Sequence, residues 1–207
     1  MDLMKQWLEL LARYGFEGPF GAAWFEKLHK AYISSGRHYH NLDHIENLLA
    51  FIDQYEAQLF DPDALRLAIW FHDAVYNVFK SNNEVQSAEL AAKALTELGI
   101  SQEVIDKVHR YIVATDHRIP IAQEDTDLAF LVDIDLSILA IELEDYKTYT
   151  EQIRREYRVF PNFIYHRGRR KVLQGLLNKT AIYHSPRFNE EWEPRARKNL
   201  QRELESL

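Results

Sequence analysis

The sequence predicts an all-α fold, a single-domain helical bundle of about ten helices, and three observations lead there. Only seven Gly and six Pro interrupt 207 residues. Almost every segment between them repeats its apolar residues at helical spacing. The length and the 46% hydrophobic, 28% charged composition suit one globular domain with a substantial core.

Composition also narrows the chemistry. Cysteine is absent, which excludes disulfides, thiolate catalysis and cysteine–zinc sites, so any metal must be held by His, Asp or Glu. No apolar run approaches the length of a membrane span and no signal peptide is expected, which makes a cytoplasmic protein the default. The net charge of −7 is uneven: residues 1–150 carry −13 and residues 151–207 carry +6. The acidic part could gather cations and the basic part an anionic ligand, although solvated helix faces would give the same count. An overall basic domain is missing, so no nucleic acid is expected as a partner, and without an apolar run long enough to span, no membrane is expected either.

Met4, Trp7, Leu8, Leu11 and Tyr14 form a first stripe that closes near Gly15; Phe20, Trp24, Leu28 and Tyr32 form a second, ended by Ser34-Ser35-Gly36. Both read as core-facing surfaces. Arg37-His38-Tyr39-His40-Asn41-Leu42-Asp43-His44 then leads into Ile45, Leu48, Leu49 and Ile52. Asn41 is the expected N-cap, which puts His44 in the first helical turn and His40 just outside it. A charged imidazole gains nothing from the dipole at that end, so a neutral, ligating ring fits His44 better.

Asp61-Pro62 starts the next helix, with Asp61 as N-cap and Pro62 at the first helical position. Leu65, Ala68, Ile69, His72 and Tyr76 share a face, and the helix is expected to fade at Asn77. His72-Asp73 therefore sets an imidazole beside a carboxylate where the pattern calls for core. A buried charge there is costly unless it is paired or holds a metal; a satisfied His–Asp core pair is the plain alternative.

Ser81-Asn82-Asn83-Glu84 offers a capping box, from Ser81 to Glu84 or from Asn83 to Gln86, before a helix that stops at Gly99. Glu84 is thus either a cap or, by its nearness in sequence to His72-Asp73, a residue that orients a water. Ser101 caps a helix reaching Val113 or Thr115, and His117 beyond it is a ligand, a phosphate contact or a loop residue. Asp125 or Thr126 opens a helix where Asp135 falls on the apolar stripe of Leu128, Leu131, Val132 and Leu139, while Asp133 shares a face with Ala129, Ser137 and Ala140. A carboxylate on the core stripe needs a partner, which favours Asp135 as a ligand. Tyr146, Tyr149, Ile153, Tyr157 and Phe160 form a stripe broken at Pro161, and a last helix carries Trp192, Ala196, Leu200 and Leu204. Between them Arg167 and Arg169 could grip phosphate bidentately, or form salt bridges or solvated surface instead.

Two imidazoles (His44, His72) and two carboxylates (Asp73, Asp135) from three helices suit a divalent metal ion (Mn, Fe, Mg, Ni or Zn) with water in its open positions. Their order, His … His-Asp … Asp in an all-helical chain, resembles the HD-domain superfamily of metal-dependent phosphohydrolases across residues 37–140. The segment 141–207 would be a helical extension, and its Arg154–Tyr157 and Ala196–Leu200 stretches resemble a bacterial group of predicted HD hydrolases. Tyr39-His40-Asn41-Leu42-Asp43-His44 is similar to the YHNxxH motif of cyclic nucleotide phosphodiesterases, which implies His44 as a metal ligand and His40 as the general acid. Asp135-Leu136-Ser137 resembles the D-L-S that carries their last ligand. Those enzymes place a further His soon after His-Asp, where this chain has Ala74-Val75-Tyr76-Asn77, so a second metal would need His117. A purine-gripping glutamine is not found.

The resulting expectation is a metal-dependent phosphohydrolase acting on a small phosphoester, a nucleotide being one candidate. Metal would be held by His44, His72, Asp73 and Asp135. Asp73 or Glu84 would handle the proton of the attacking water, His40 or His117 would assist the leaving group, and Arg37, Arg167 and Arg169 would contact phosphate. The alternatives are a nucleotide-binding or regulatory module of the same fold without turnover, a diiron oxygenase on that fold, and a helical protein with satisfied core histidines.

Overall fold

The computed structural model describes residues 2–16, 18–119 and 125–207. It is all-α, as predicted, with ten α-helices and two short 3-10 turns among those residues. The chain divides into two compact units, Met1–Ile121 and Ala122–Leu207.

The first unit holds α1 (Leu3–Arg13), α2 (Pro19–Tyr32), α3 (Leu42–Tyr55), α4 (Pro62–Phe71), α5 (Asn83–Glu97) and α6 (Gln102–Ala114). Local signals set most of these ends. Asp2 and Asp61 accept the amides of Lys5 and Ala64, Asn41 accepts those of Asp43 and His44, and Gly15 and Gly99 turn the chain with positive φ. Of the first two stripes Trp7, Leu11, Trp24, Leu28 and Tyr32 are core as expected, Met4 and Tyr14 are half-buried, and Leu8 and Phe20 are exposed. Gly21 is a close approach: a Cβ there would meet Leu11 Cδ1 at 2.9 Å, and the bare backbone lets the Gly21 carbonyl accept from Trp7 Nε1 at 2.8 Å.

Helix α4 is the axis of this unit. It packs against α3, α5 and α6, and every residue from Ala64 to Phe71 is buried. Trp7, Trp24 and Phe25 meet Trp70 or Phe71 edge-on at 5.6–6.3 Å. Even Arg66 is buried, its guanidinium held by Asp53, Glu56 and Asp63.

The helix ends sooner than its periodicity suggests, at Phe71 rather than near Asn77, with His72 as C-cap. Partners from α5 take the backbone groups that would have continued it. Ser87 Oγ accepts from Val75 N and donates to Val75 O, while Asn83 brackets Asn77 in the same way. The N-cap of α5 is Asn82, not Ser81 or Asn83.

The second unit holds α7 (Thr126–Asp135), a 3-10 turn (Leu136–Ala140), α8 (Leu143–Glu156), α9 (Asn162–Leu177) and α10 (Pro186–Ser206). Here α10 packs on the 3-10 turn and on α9. Asn199 of α10 donates to the carbonyls of Leu139 and Ile141, and Arg197 to those of Leu177 and Lys179. The Ala196–Leu200 stretch is thus a clamp on neighbouring turns.

Candidate metal centre

The N-cap Asn41 places His44 in the opening turn of α3, and the end of α4 delivers His72 and Asp73 to the same point. One ligand atom from each of His44, His72 and Asp73 can be chosen so that all lie within 4.8 Å of one another, and these residues could hold a metal ion. Both imidazoles are buried, and Asp73 is half-buried.

Hydrogen bonding fixes how the His72 ring presents itself. Its Nδ1 stands 2.8 Å from the carbonyl of Ile69. A carbonyl only accepts, so Nδ1 carries the hydrogen and the neutral ring turns a lone pair out from Nε2. That Nε2 lies 3.2 Å from His44 Nε2 and 3.2 Å from Asp73 Oδ2. A lone pair facing a carboxylate in a buried place calls for a proton or a cation between them. Metal–nitrogen bonds of about 2.0–2.1 Å let one ion span such a separation. The donor set is nitrogen and oxygen, and the backbone carbonyl orients a ligating imidazole in the way outer-shell partners do.

Aromatic side chains surround the pair. The His40 ring leans on Tyr76 at 4.4 Å between centroids and lies 6.2 Å from that of His44, while Tyr39 contacts both histidines at 5.0 Å. Sequence reasoning put Tyr76 on the face of α4; the early end of that helix makes it the loop residue against which His40 rests.

Glu84 stands half-buried in the first turn of α5. Burial pushes its carboxyl up, and the charges of Asp116 and Asp73 push the same way against Arg118. The chain ahead of it is fastened by Arg118, which pairs bidentately with Asp116 and donates to the carbonyl of Ser81. The Arg118 guanidinium holds Asp116 low although burial opposes it. His117 lies half-buried within this turn. Asp116 and Arg118 pair with each other within one turn, whereas the Ser81 carbonyl that Arg118 also reaches lies 37 residues earlier in the chain.

The predicted phosphate arginines take three different positions. Arg37 donates to the carbonyls of His40 and Ala74 and lies over the rings of Tyr32 and Tyr76, a strut between the two histidine-bearing segments. Arg169 is buried in a two-pronged pair with Glu203, which also accepts from Tyr146. Arg167 is exposed on α9.

Of Asp133 and Asp135, the two acids that compete at the end of α7, Asp133 is the fully buried one. It accepts the amides of His184 and Ser185 at 2.7 Å each, at the start of α10. Burial raises its pKa, and those bonds oppose the rise. Its partner is thus structural. Asp135, the predicted fourth ligand, closes α7 in the second unit and is half-buried. No family model, curated protein or solved structure matches this chain.

Proposed function

We propose that the protein is a metal-dependent phosphohydrolase of the HD type, cleaving a small phosphoester, with nucleotides as the first substrates to try. The observation that supports this most is the convergence of His44 Nε2, His72 Nε2 and an Asp73 carboxylate oxygen on one point. His44, His72 and Asp73 would hold the ion. When bound, a divalent ion supplies a water acidic enough to attack at neutral pH and polarises a phosphoryl oxygen.

The remaining steps belong to side chains. Ile69 O keeps His72 Nδ1 protonated, so Nε2 stays the ligating atom. Glu84, its affinity for protons raised by burial, takes up the proton released by the attacking water. His40, held against Tyr76, donates a proton to the leaving oxygen. Arg37 fixes the carbonyl of His40 relative to that of Ala74, which sets the distance between the leaving-group side and the His-Asp side of the site.

The test begins with elemental analysis of protein purified without added metal or chelator, beside His72→Ala and Asp135→Asn samples. About one equivalent of metal, lost in His72→Ala, supports the centre; the Asp135→Asn sample decides whether the predicted fourth ligand belongs to it. The loaded protein is then tried against phosphomonoesters, cyclic nucleotides and nucleoside polyphosphates. Near-zero metal even after incubation with Mn, Fe and Zn would overturn the proposal. A nucleotide-induced thermal shift without product would point to a binding module instead.

A further inference from the structure

The corner between α8 and α9 carries features that the metal centre does not use. Helix α9 contains no acidic residue, although the chain as a whole is acidic. Its Arg169 is neutralised by Glu203. Arg167, Arg170 and Lys171 sit at i, i+3 and i+4 on its exposed side, one face by helical spacing, and line a shared cleft there.

At the N-terminal end of that face stand large apolar side chains: Phe163 is 75% exposed, Ile164 45% and Val159, in the preceding turn, 55%. Phe163 is one turn before Arg167, and Ile164 two turns before Lys171.

This corner is rigidly built. Arg154 donates to the carbonyls of Tyr157 and Phe160 and to Asn162 Oδ1, and its guanidinium lies over the Tyr165 ring. The Arg154–Tyr157 stretch noted in the sequence therefore acts as a brace for the turn, holding the apolar side chains outward.

We infer that this corner is a docking surface for an anionic phospholipid bilayer. Cations beside protruding aromatic and aliphatic side chains match the two layers of such a surface, phosphate-bearing headgroups and the acyl boundary beneath. A nucleic acid duplex would engage Arg167, Arg170 and Lys171 but leave Phe163, Ile164 and Val159 in water. Peripheral contact of this kind needs no span, and no described helix is long and apolar enough to cross a membrane.

Co-sedimentation of the full chain with phosphatidylcholine vesicles, with and without phosphatidylserine, tests the inference. Binding is expected only to the phosphatidylserine vesicles and should weaken with added salt. The triple variant Arg167→Glu/Arg170→Glu/Lys171→Glu should bind at least about tenfold more weakly, and Phe163→Ser should lose affinity while keeping every charge. Both are surface changes, and unchanged melting temperature and helical circular dichroism would exclude misfolding; the single Arg167→Gln serves if the triple variant is unstable. Equal binding to both vesicle types, no binding to either, variants that bind like the parent, or capture of a DNA duplex but not of vesicles would each overturn it.

Discussion

The Nε2 atoms of His44 and His72 stand 3.2 Å apart, although 28 residues separate them in the chain. One belongs to the first turn of α3 and the other to the C-cap of α4, so helix ends bring them together. A ligand bound there acts on both ends at once, with measurable consequences for stability.

Metal should raise the folding stability, because a ligand that binds only the native state adds stability with its concentration, about 2.7 kcal/mol at a hundred times its dissociation constant. Chelation followed by titration with Mn, Fe or Zn should move the melting temperature upward. The same titration of Asp73→Ala should give a much smaller shift, and an equal shift would remove Asp73 from the ligand set.

Glu84 should govern a pH-dependent difference in the chelated protein. Burial, then Asp116 and Asp73, raise its folded-state pKa. A carboxyl shifted this way contributes stability that is complete below its unfolded value and is lost as pH rises through the folded value. Glu84→Gln should therefore melt higher than the parent near neutral pH and match it below about pH 4. A gain of the same size at both ends would show that packing, not ionisation, is responsible.

Replacing Arg37 separates its strut role from a phosphate-binding one. Arg37→Ala removes two hydrogen bonds from a cation and its contacts with Tyr32 and Tyr76. The loss should be on the order of 2 kcal/mol by chemical denaturation, with metal content unchanged. Full stability together with lost affinity for a phosphate ligand would return Arg37 to the role the sequence suggested.

The buried Arg169–Glu203 pair gives a test confined to the second unit. Glu203→Leu strands a buried guanidinium and should cost about 3–5 kcal/mol. Joining it to Arg169→Met should recover most of that loss. If the double variant is as unstable as the single one, the pair is not the source of the effect.

Elements fixed by neighbouring residues were legible before any coordinates. Asn41 two to three residues before the amides it accepts, Asp61 before Pro62, and the glycines after α1 and α5 all act within one turn of chain. The grouping of His44 with His72 and Asp73 was legible too, because His44 was expected in a first helical turn and His72 on an apolar helix face beside Asp73. What failed depends on partners outside the segment being read, from 6 residues away for Asn83 to 52 for Ser185. The end of α4 is set by Ser87 and Asn83, the meaning of Asp133 by amides about fifty residues on, and the fate of Arg169 by Glu203. Periodicity carries no record of such pairings.

A chain without cysteine has no covalent means of tying its helices together. An ion shared between His44 and His72 would close a loop of 28 residues, and cross-links of that kind act by removing conformations from the unfolded chain. Unlike a disulfide, this fastening answers to metal supply and to acid, since imidazoles must be deprotonated to bind. The centre would thus serve as a reversible latch on the α3–α4 hairpin. Its opening would be visible as faster amide exchange in the first turn of α3 and the last turn of α4.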